Sequence, residues 1–204
     1  FVDPYLAVLI RIMCGIVIFL PFVRKTSYQD IWQLMLVGAC QFGLTYIFLY
    51  QAFHYISVIE VLLFSITTPI YIVIIRSFFD RTFQSRAFVA AFLAVIGAAI
   101  IRYQAISPSF IMGFVLMQAA NFVFAFGQTF YQRTQKQSNK NYQSFFWFFA
   151  GAFVIVFPTW LLLGTTKFTM QTSTLLSLFY VGFLATGLGQ YLWLQGATKV
   201  SVAT

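Results

Sequence analysis

Residues Tyr46–Tyr71, YIFLYQAFHYISVIEVLLFSITTPIY, decide the fold of this chain. Two apolar runs flank a short polar break, so the stretch predicts the end of one membrane-spanning helix, a very short turn and most of the next helix. Ser57 and Glu60 have the spacing of a capping box, in which the two side chains bond backbone N–H groups reciprocally. The second helix is therefore expected to begin at Val58.

Pro69 interrupts the second apolar run near its centre, within the sequence Thr67-Thr68-Pro69. Proline has no N–H to donate to the carbonyl four residues earlier, so Ser65 is expected to keep a free carbonyl deep in the bilayer. A polar backbone group is tolerated at that depth where it faces protein or a wet cavity. A transport pathway is therefore the first interpretation of this interruption.

The composition is 61% hydrophobic and 8% charged, whereas a soluble domain has about 25% charged residues. It predicts an integral membrane protein whose main partner is the lipid bilayer. The net charge of +8 comes from basic residues in short loops, where they orient helices, so no nucleic-acid partner is expected. Cys14 and Cys40 lie inside apolar runs and are expected to be buried thiols, without a disulfide or a metal ion. The chain begins with Phe, and we expect it to be a piece of a longer protein.

Seven apolar stretches are long enough to cross a hydrocarbon core of about 30 Å, which needs roughly 20 helical residues. The stretches are continuously apolar, unlike the alternating strands of a membrane barrel. The predicted fold is therefore an all-α, polytopic membrane helix bundle. The predicted helices are α1 Pro4–Val23, α2 Ile31–Phe53, α3 Val58–Phe79, α4 Ala87–Ile101, α5 Pro108–Tyr131, α6 Tyr142–Leu163 and α7 Thr172–Gln195.

Basic residues concentrate at one end of the predicted helices. Arg102 and Lys167 are the exceptions at the other end. By the positive-inside rule the richer end is cytoplasmic, so α1 starts outside the cell. The residues at the richer end are Arg24, Lys25, Arg76, Arg81, Arg86, Arg133, Lys136, Lys140 and Lys199.

An internal repeat relates α2 to α7 at a shift of 144 residues, and α1 resembles α6 in the same way. Because α2 is predicted to run outward and α7 inward, the repeat is inverted, as in many secondary transporters. We expect residues 1–106 to form a first repeat lacking its first helix, and residues 107–204 a second repeat lacking its last two helices, of a ten-helix protein. The matching pairs are Val37-Gly38 with Val181-Gly182, Gly43 with Gly187, Gln51 with Gln195, and Ser57-Val58 with Ser201-Val202.

The chain resembles the EamA-type transporters of the drug/metabolite transporter superfamily over its whole length. The resemblance is carried by Pro4 and Arg11, then Ala52, Ser57 and Pro69, then Asp80-Arg81 closing α3. It implies two inverted five-helix repeats in a bacterial inner membrane, with α2, α3, α5 and α7 around a central pathway. It also implies a secondary transporter that moves a small polar metabolite, such as an amino acid, by alternating access. Asp80 departs from the family pattern, which usually has a glutamate there.

Uncharged polar residues near the predicted midplane are candidates to line a cavity between α2, α3, α5 and α7. Gln118 and Asn121 share a face of α5. These groups suit a small polar or zwitterionic solute, but such side chains also hold membrane helices together, and both interpretations stay open. The candidate substrate-binding residues are Gln41, Thr45, Ser65, Thr67, Thr68, Gln118, Asn121, Thr186, Gln190 and Trp193.

Three ionisable residues are candidates for a structural role or for coupling. Arg11 lies about one third of the way into α1, where a charge is costly and marks a functional candidate. A structural role is favoured over a role in transport, and the side chain is expected to pair with a carboxylate or to reach outward to the interface. Glu60 lies near the positive N-terminal end of α3, which favours capping, with pairing to Arg11, over proton coupling. His54 lies at the outer end of α2, where an interfacial role is favoured over a proton relay. Tyr5 and Tyr50, also near helix ends, are expected to anchor at the interface.

A seven-helix receptor or sensor is the alternative, because the number of visible helices and the outside start fit it. A retinal protein needs a lysine inside its last helix, and α7 has none between Leu175 and Gln195. The sequence has no nucleophile–base pair, no metal-ligating set and no phosphate-binding glycine loop, so no enzyme activity and no cofactor are predicted. The sequence leaves the oligomeric state open.

Overall fold

A computed structural model describes residues 3–23, 27–82, 85–101, 108–135, 141–165 and 172–199. Every regular element in these ranges is helical, which confirms the all-α prediction. The charged residues Arg24, Lys25, Arg102, Lys136, Lys140 and Lys167, and the repeat residues Ser201 and Val202, lie outside the described ranges.

The predicted helices are present, with ends that shift by a few residues. Of the helices in the described ranges, six are long and apolar enough to cross a membrane; α4, with 17 residues, is not among them. Helix α1 is Pro4–Phe19, continued by a 3₁₀ turn at Leu20–Phe22, and α2 is Tyr28–Gly38, Ala39–Leu44 and Thr45–Ala52. Helix α3 is Val58–Ser65 and Thr68–Asp80, α4 is Ser85–Ile101, α5 is Pro108–Gln135, α6 is Asn141–Leu163, and α7 is Thr172–Phe179, Tyr180–Gly189 and Gln190–Ala197.

Local sequence explains where the helices begin and end. Asp3 caps α1, its side chain accepting a hydrogen bond from the Leu6 N–H at 2.9 Å. The predicted capping box of α3 is present, with reciprocal bonds between Ser57 and Glu60. At the other end of α3, Arg81 adopts a left-handed conformation with φ 51°, which terminates the helix.

An aromatic core holds α1, α2, α6 and α7 together. Phe145 and Phe148 stack at 4.9 Å, and Phe19 and Phe42 pack against the same group. Large apolar side chains also face outward, as expected where the surroundings are lipid; Leu162 and Phe78 are 82% and 81% exposed.

Glycines allow the backbones of α2 and α6 to touch. A Cβ on Gly38 would lie 1.7 Å from the Phe148 carbonyl oxygen, and one on Gly151 would lie 2.0 Å from the Met35 carbonyl oxygen. Across the bundle, a Cβ on Gly182 would lie 2.8 Å from the Cys14 sulfur, so α7 packs closely on α1. Small residues at such crossings are the usual means of close packing between membrane helices.

Helices α2 and α7 both widen into π-helix near their middles, at Ala39–Leu44 and Tyr180–Gly189. The shift of 144 residues that relates their sequences moves the first segment onto residues 183–188, inside the second. Furthermore, α2 packs on α6 through Gly38, while α7 packs on α1 through the matching Gly182. These contacts agree with a repeat in which α1 corresponds to α6 and α2 corresponds to α7. The inverted relation of the two repeats stays a prediction.

Candidate functional site

The interruption predicted at Pro69 divides α3 into two helices separated by Ile66 and Thr67. The carbonyl with side-chain partners is that of Phe64 rather than that of Ser65. It accepts hydrogen bonds from Asn121 Nδ2 at 2.8 Å and Thr67 Oγ1 at 2.8 Å. The break therefore presents a polar backbone group toward α5, as expected of irregular backbone at membrane depth.

Four side chains converge at this break, and we call them the α3–α5 cluster: Thr67, Tyr71, Gln118 and Asn121. Gln118 Oε1 lies 2.8 Å from Thr67 Oγ1 and 3.1 Å from the Tyr71 hydroxyl. Asn121 Nδ2 also donates to Thr67 Oγ1 at 2.9 Å. Gln118 Nε2 is buried, and within the described residues it has no hydrogen-bond partner. The cluster thus keeps an amide N–H₂ group, a donor of two hydrogen bonds, that a bound solute can satisfy.

Arg11 is the centre of a second group, on α1, α2 and α7. Its Nε donates to Thr186 Oγ1 at 2.9 Å, and its Nη2 donates to the Tyr46 hydroxyl at 2.6 Å. The guanidinium carbon also lies 4.8 Å from the centre of the Tyr46 ring. Arg11 therefore points into the bundle, where it bonds neutral hydroxyl groups, and not outward to the interface.

Gln41 is a buried amide in the π-helical part of α2. It is 1% exposed, and neither its Nε2 nor its Oε1 has a hydrogen-bond partner among the residues that the structure describes. It packs against Gly127 of α5, where a Cβ would lie 3.0 Å from the Gln41 Cβ. Gln190 Nε2, on α7, is likewise buried and without a partner in these ranges. Buried polar atoms are rarely left without a partner, and π-helical turns often occur at functional sites.

Four other predicted members of the site lie outside the two groups described above. The Thr45 and Ser65 hydroxyls bond the carbonyls of Cys40 and Val61 in their own helices, so both serve the backbone. Trp193 is 56% exposed, and its indole N–H reaches Gln128 Oε1 at 3.4 Å. Thr68 lies next to the break, half-buried, as the first residue of the second part of α3.

Sequence reasoning missed two tyrosines of these groups, and a third tyrosine has a contact that it did not predict. Tyr46 and Tyr71 were not predicted as site residues; the spacing of Tyr71 four residues after Thr67, on one helix face, was the available signal. Tyr5 was expected at the interface, but it is 7% exposed, and its hydroxyl accepts a bond from Gln51 Nε2 at 2.5 Å. It is thus a buried contact between α1 and α2.

Glu60 and His54 lie toward the same end of the bundle. Glu60 is buried, and its Oε2 accepts bonds from the Ser57 N–H at 2.6 Å and the Ser57 hydroxyl at 2.7 Å. The predicted capping contacts are present. His54 is exposed in the turn between α2 and α3.

Polar contacts tie the helices at both ends of the bundle. At the predicted cytoplasmic end, Asp80 Oδ1 lies 2.8 Å from Arg133 Nη1 of α5, and Asp80 Oδ2 lies 3.4 Å from Arg76 Nε. At the opposite end, the second oxygen of Asp3 accepts bonds at 3.1 Å from the N–H and hydroxyl of Thr165, just beyond α6. Within the described residues, no group of histidine, cysteine or acidic side chains is arranged to hold a metal ion.

Known bacterial proteins are similar to this chain over its whole length. The model of the EamA-like transporter family matches residues 1–103. A protein from Pseudomonas aeruginosa named "Probable biotin transporter" is 41% identical over all of this chain and 73% of its own length. Proteins named "Biotin transporter" from Escherichia coli K12 and Salmonella typhimurium are 38% and 39% identical over all of this chain and 70% of their own lengths. No solved structure matches the chain.

Proposed function

Since this chain belongs to the EamA-like transporter family, as a multi-pass protein of the bacterial inner membrane that moves a small molecule, we propose that its substrate is biotin and that it works by alternating access. The supporting observation is the identity of 38–41% to biotin transporters, which extends over the entire chain. The chain is a transporter and not an enzyme. The relatives give no support to the receptor alternative.

The α3–α5 cluster suits the polar ring of biotin. Biotin is a bicyclic urea with a thioether ring and an aliphatic chain that ends in a carboxylate. Its urea has two N–H donors and one carbonyl acceptor, and these match the amide and hydroxyl groups of Gln118, Asn121 and Thr67. A site of a few convergent polar groups within apolar walls is the usual form of a small-molecule site.

Biotin fits these residues better than an amino acid, which was the example favoured by the sequence. An amino acid carries an ammonium group, which needs a carboxylate or several acceptors when it leaves water. The α3–α5 cluster contains amides and hydroxyls, and the Arg11 group adds a positive charge. A monoanion with a neutral polar ring therefore matches both groups, whereas a zwitterion leaves its ammonium group without a counter-charge.

We also propose the inverted repeat as the basis of alternating access, with residues 1–106 in one repeat and 107–204 in the other. The coincidence of the two π-helical segments under the 144-residue shift supports this arrangement. Both polar groups join elements of the two repeats: α3 with α5, and α1 and α2 with α7. Rocking of one repeat against the other would then expose the same site to each side in turn.

Growth of a biotin auxotroph tests the substrate. The full-length protein is expressed in a bacterium that can neither make biotin nor take it up at low concentration. We expect growth at biotin concentrations where cells with the empty vector do not grow. We also expect unlabelled biotin, but not amino acids, to inhibit the uptake of labelled biotin. Growth equal to that of the empty vector, with the protein present in the membrane, overturns the proposal.

A further inference from the structure

We propose that Arg11, held by Tyr46 and Thr186, is the subsite that binds the carboxylate of the transported substrate. This inference rests on the proposed function, because it assigns one part of the same substrate. It concerns a single charged group, whereas the α3–α5 cluster would contact the neutral ring.

The hydrogen bonds of Arg11 leave part of its guanidinium available. A guanidinium has five N–H donors in one plane. The Nε donates to Thr186 and one N–H of Nη2 donates to Tyr46. The other N–H groups of Nη1 and Nη2 lie at the end of the guanidinium, where a carboxylate can accept two of them in a two-point contact.

Among the described residues, the hydrogen bonds of Arg11 go to neutral hydroxyl groups, and Arg11 is in neither of the ion pairs at the end of α3. The chain has four acidic residues, and all four are described. Asp3 bonds Leu6 and Thr165, Glu60 bonds Ser57, Asp80 pairs with Arg76 and Arg133, and Asp30 lies exposed in the first turn of α2. Because an ionisable residue inside a membrane protein is costly and commonly marks a substrate pathway, a substrate carboxylate is a suitable partner for Arg11.

The neighbours of Arg11 hold its plane in a fixed direction. The Nε and Nη2 atoms lie on one edge of the guanidinium, and this edge is fixed by Thr186, which is 1% exposed, and by the Tyr46 hydroxyl, while the Tyr46 ring centre lies 4.8 Å from the guanidinium carbon. Thr186 lies in the π-helical segment of α7, and Tyr46 lies just after that of α2. A rigid fork of this kind recognises a carboxylate by geometry as well as by charge, which a lysine does not reproduce.

Competition with a neutral analogue provides the test. Uptake of labelled biotin is measured in cells that express the full-length protein, with unlabelled biotin and biotin amide, which lacks the negative charge, as competitors. The wild type is expected to bind biotin at least tenfold more tightly than the amide, equivalent to about 1.4 kcal/mol. In Arg11→Gln the apparent affinity for biotin should fall by about tenfold or more while that for the amide changes little, so the preference is lost. Arg11→Lys should recover only part of it.

Arg86→Gln is the matched control, because it removes an exposed arginine at the start of α4. It should keep the preference of the wild type. If Arg11→Gln does not insert into the membrane, Thr186→Val and Tyr46→Phe provide the same comparison. Each should lower the apparent affinity for biotin more than that for the amide.

The outcomes separate the two proposals. Equal affinity of the wild type for biotin and its amide overturns the carboxylate subsite. An unchanged preference for biotin over the amide in Arg11→Gln also overturns it. If Arg11→Gln does not insert, an unchanged preference in both Thr186→Val and Tyr46→Phe has the same meaning. In each case, saturable biotin uptake by the wild type leaves the proposed function standing. Absence of any biotin uptake by the wild type overturns the proposed function itself, and the carboxylate subsite with it.

Discussion

Replacement of Gly38 by alanine should destabilise the bundle, because the added methyl group meets backbone and not a movable side chain. It would lie 1.7 Å from the Phe148 carbonyl oxygen and 2.7 Å from the carbonyl carbon. The closest comfortable approach of carbon to a carbonyl oxygen is about 3.3 Å, so α2 and α6 must separate by about 1.6 Å. A gap of that size forfeits much of the dispersion energy along the crossing.

Overpacking of this kind costs about 2–3 kcal/mol. For a chain of this size we expect a fall in melting temperature of about 5–10 °C. The assay is thermal unfolding of the purified full-length protein in detergent, followed by the loss of monodisperse protein. Gly97→Ala is the matched control, because a Cβ there has nothing within 4 Å, and alanine favours a helix over glycine by about 0.5–1 kcal/mol.

Gly97→Ala should therefore unfold at or slightly above the temperature of the wild type. Gly151→Ala, at the same crossing, should lower the melting temperature about as much as Gly38→Ala. The double variant should lower it by less than the sum of the two single effects, because the first substitution has already separated the helices. If Gly38→Ala unfolds within 2 °C of Gly97→Ala, the close approach of α2 and α6 described above is wrong.

Two further predictions concern Gln118, a proposed substrate-binding residue, and Glu60, the capping residue of α3. Gln118→Ala removes one acceptor of the Thr67 and Tyr71 hydroxyls and an amide N–H₂ that has no partner among the described residues, so the apparent affinity for biotin should fall by about tenfold, corresponding to one or two lost hydrogen bonds. Uptake kinetics measure this, with Gln29→Ala, an exposed amide at the start of α2, as the control; equal kinetics in the two variants would remove Gln118 from the site. Glu60→Gln can keep the capping bond to the Ser57 N–H while losing the charge, so gradient-driven uptake should stay within about twofold of the wild type. Normal insertion with loss of driven uptake and retention of exchange would instead identify Glu60 as the proton carrier.

The sequence predicts best what depends on neighbours along the chain. The capping box at Ser57, the break before Pro69 and the helix ends each follow from a few adjacent residues, and each is present in the structure. The position of the polar midplane residues Gln118 and Asn121 follows from helical spacing, and their meeting with Thr67 follows once α3 and α5 pack together.

The surroundings of Arg11 depend on contacts that sequence spacing does not contain. Arg11 meets Thr186 across 175 residues of chain and Tyr46 across 35. The tyrosine was not distinguishable by pattern from the many aromatic side chains around it. Similarly, Thr45 has the depth of a cavity residue, but in a helix its hydroxyl finds a nearer acceptor in the carbonyl of Cys40.

The π-helical segments also lay beyond prediction, since their sequences differ little from those of ordinary apolar helix. The paired glycines Gly43 and Gly187, which lie inside the two segments, marked them as related but gave no sign of π-helix. Once both segments are known, the repeat gains a structural feature besides its sequence matches.

Counterflow in proteoliposomes tests the central claim most directly, because it requires one site that opens to each side in turn. The purified full-length protein is reconstituted, the vesicles are loaded with unlabelled biotin, and labelled biotin is added outside at low concentration. We predict transient accumulation of label above equilibrium, which disappears when the vesicles are loaded with buffer or with an amino acid mixture. Label that stays at the level of protein-free vesicles, or accumulation only with amino acids inside, would contradict a biotin transporter that works by alternating access.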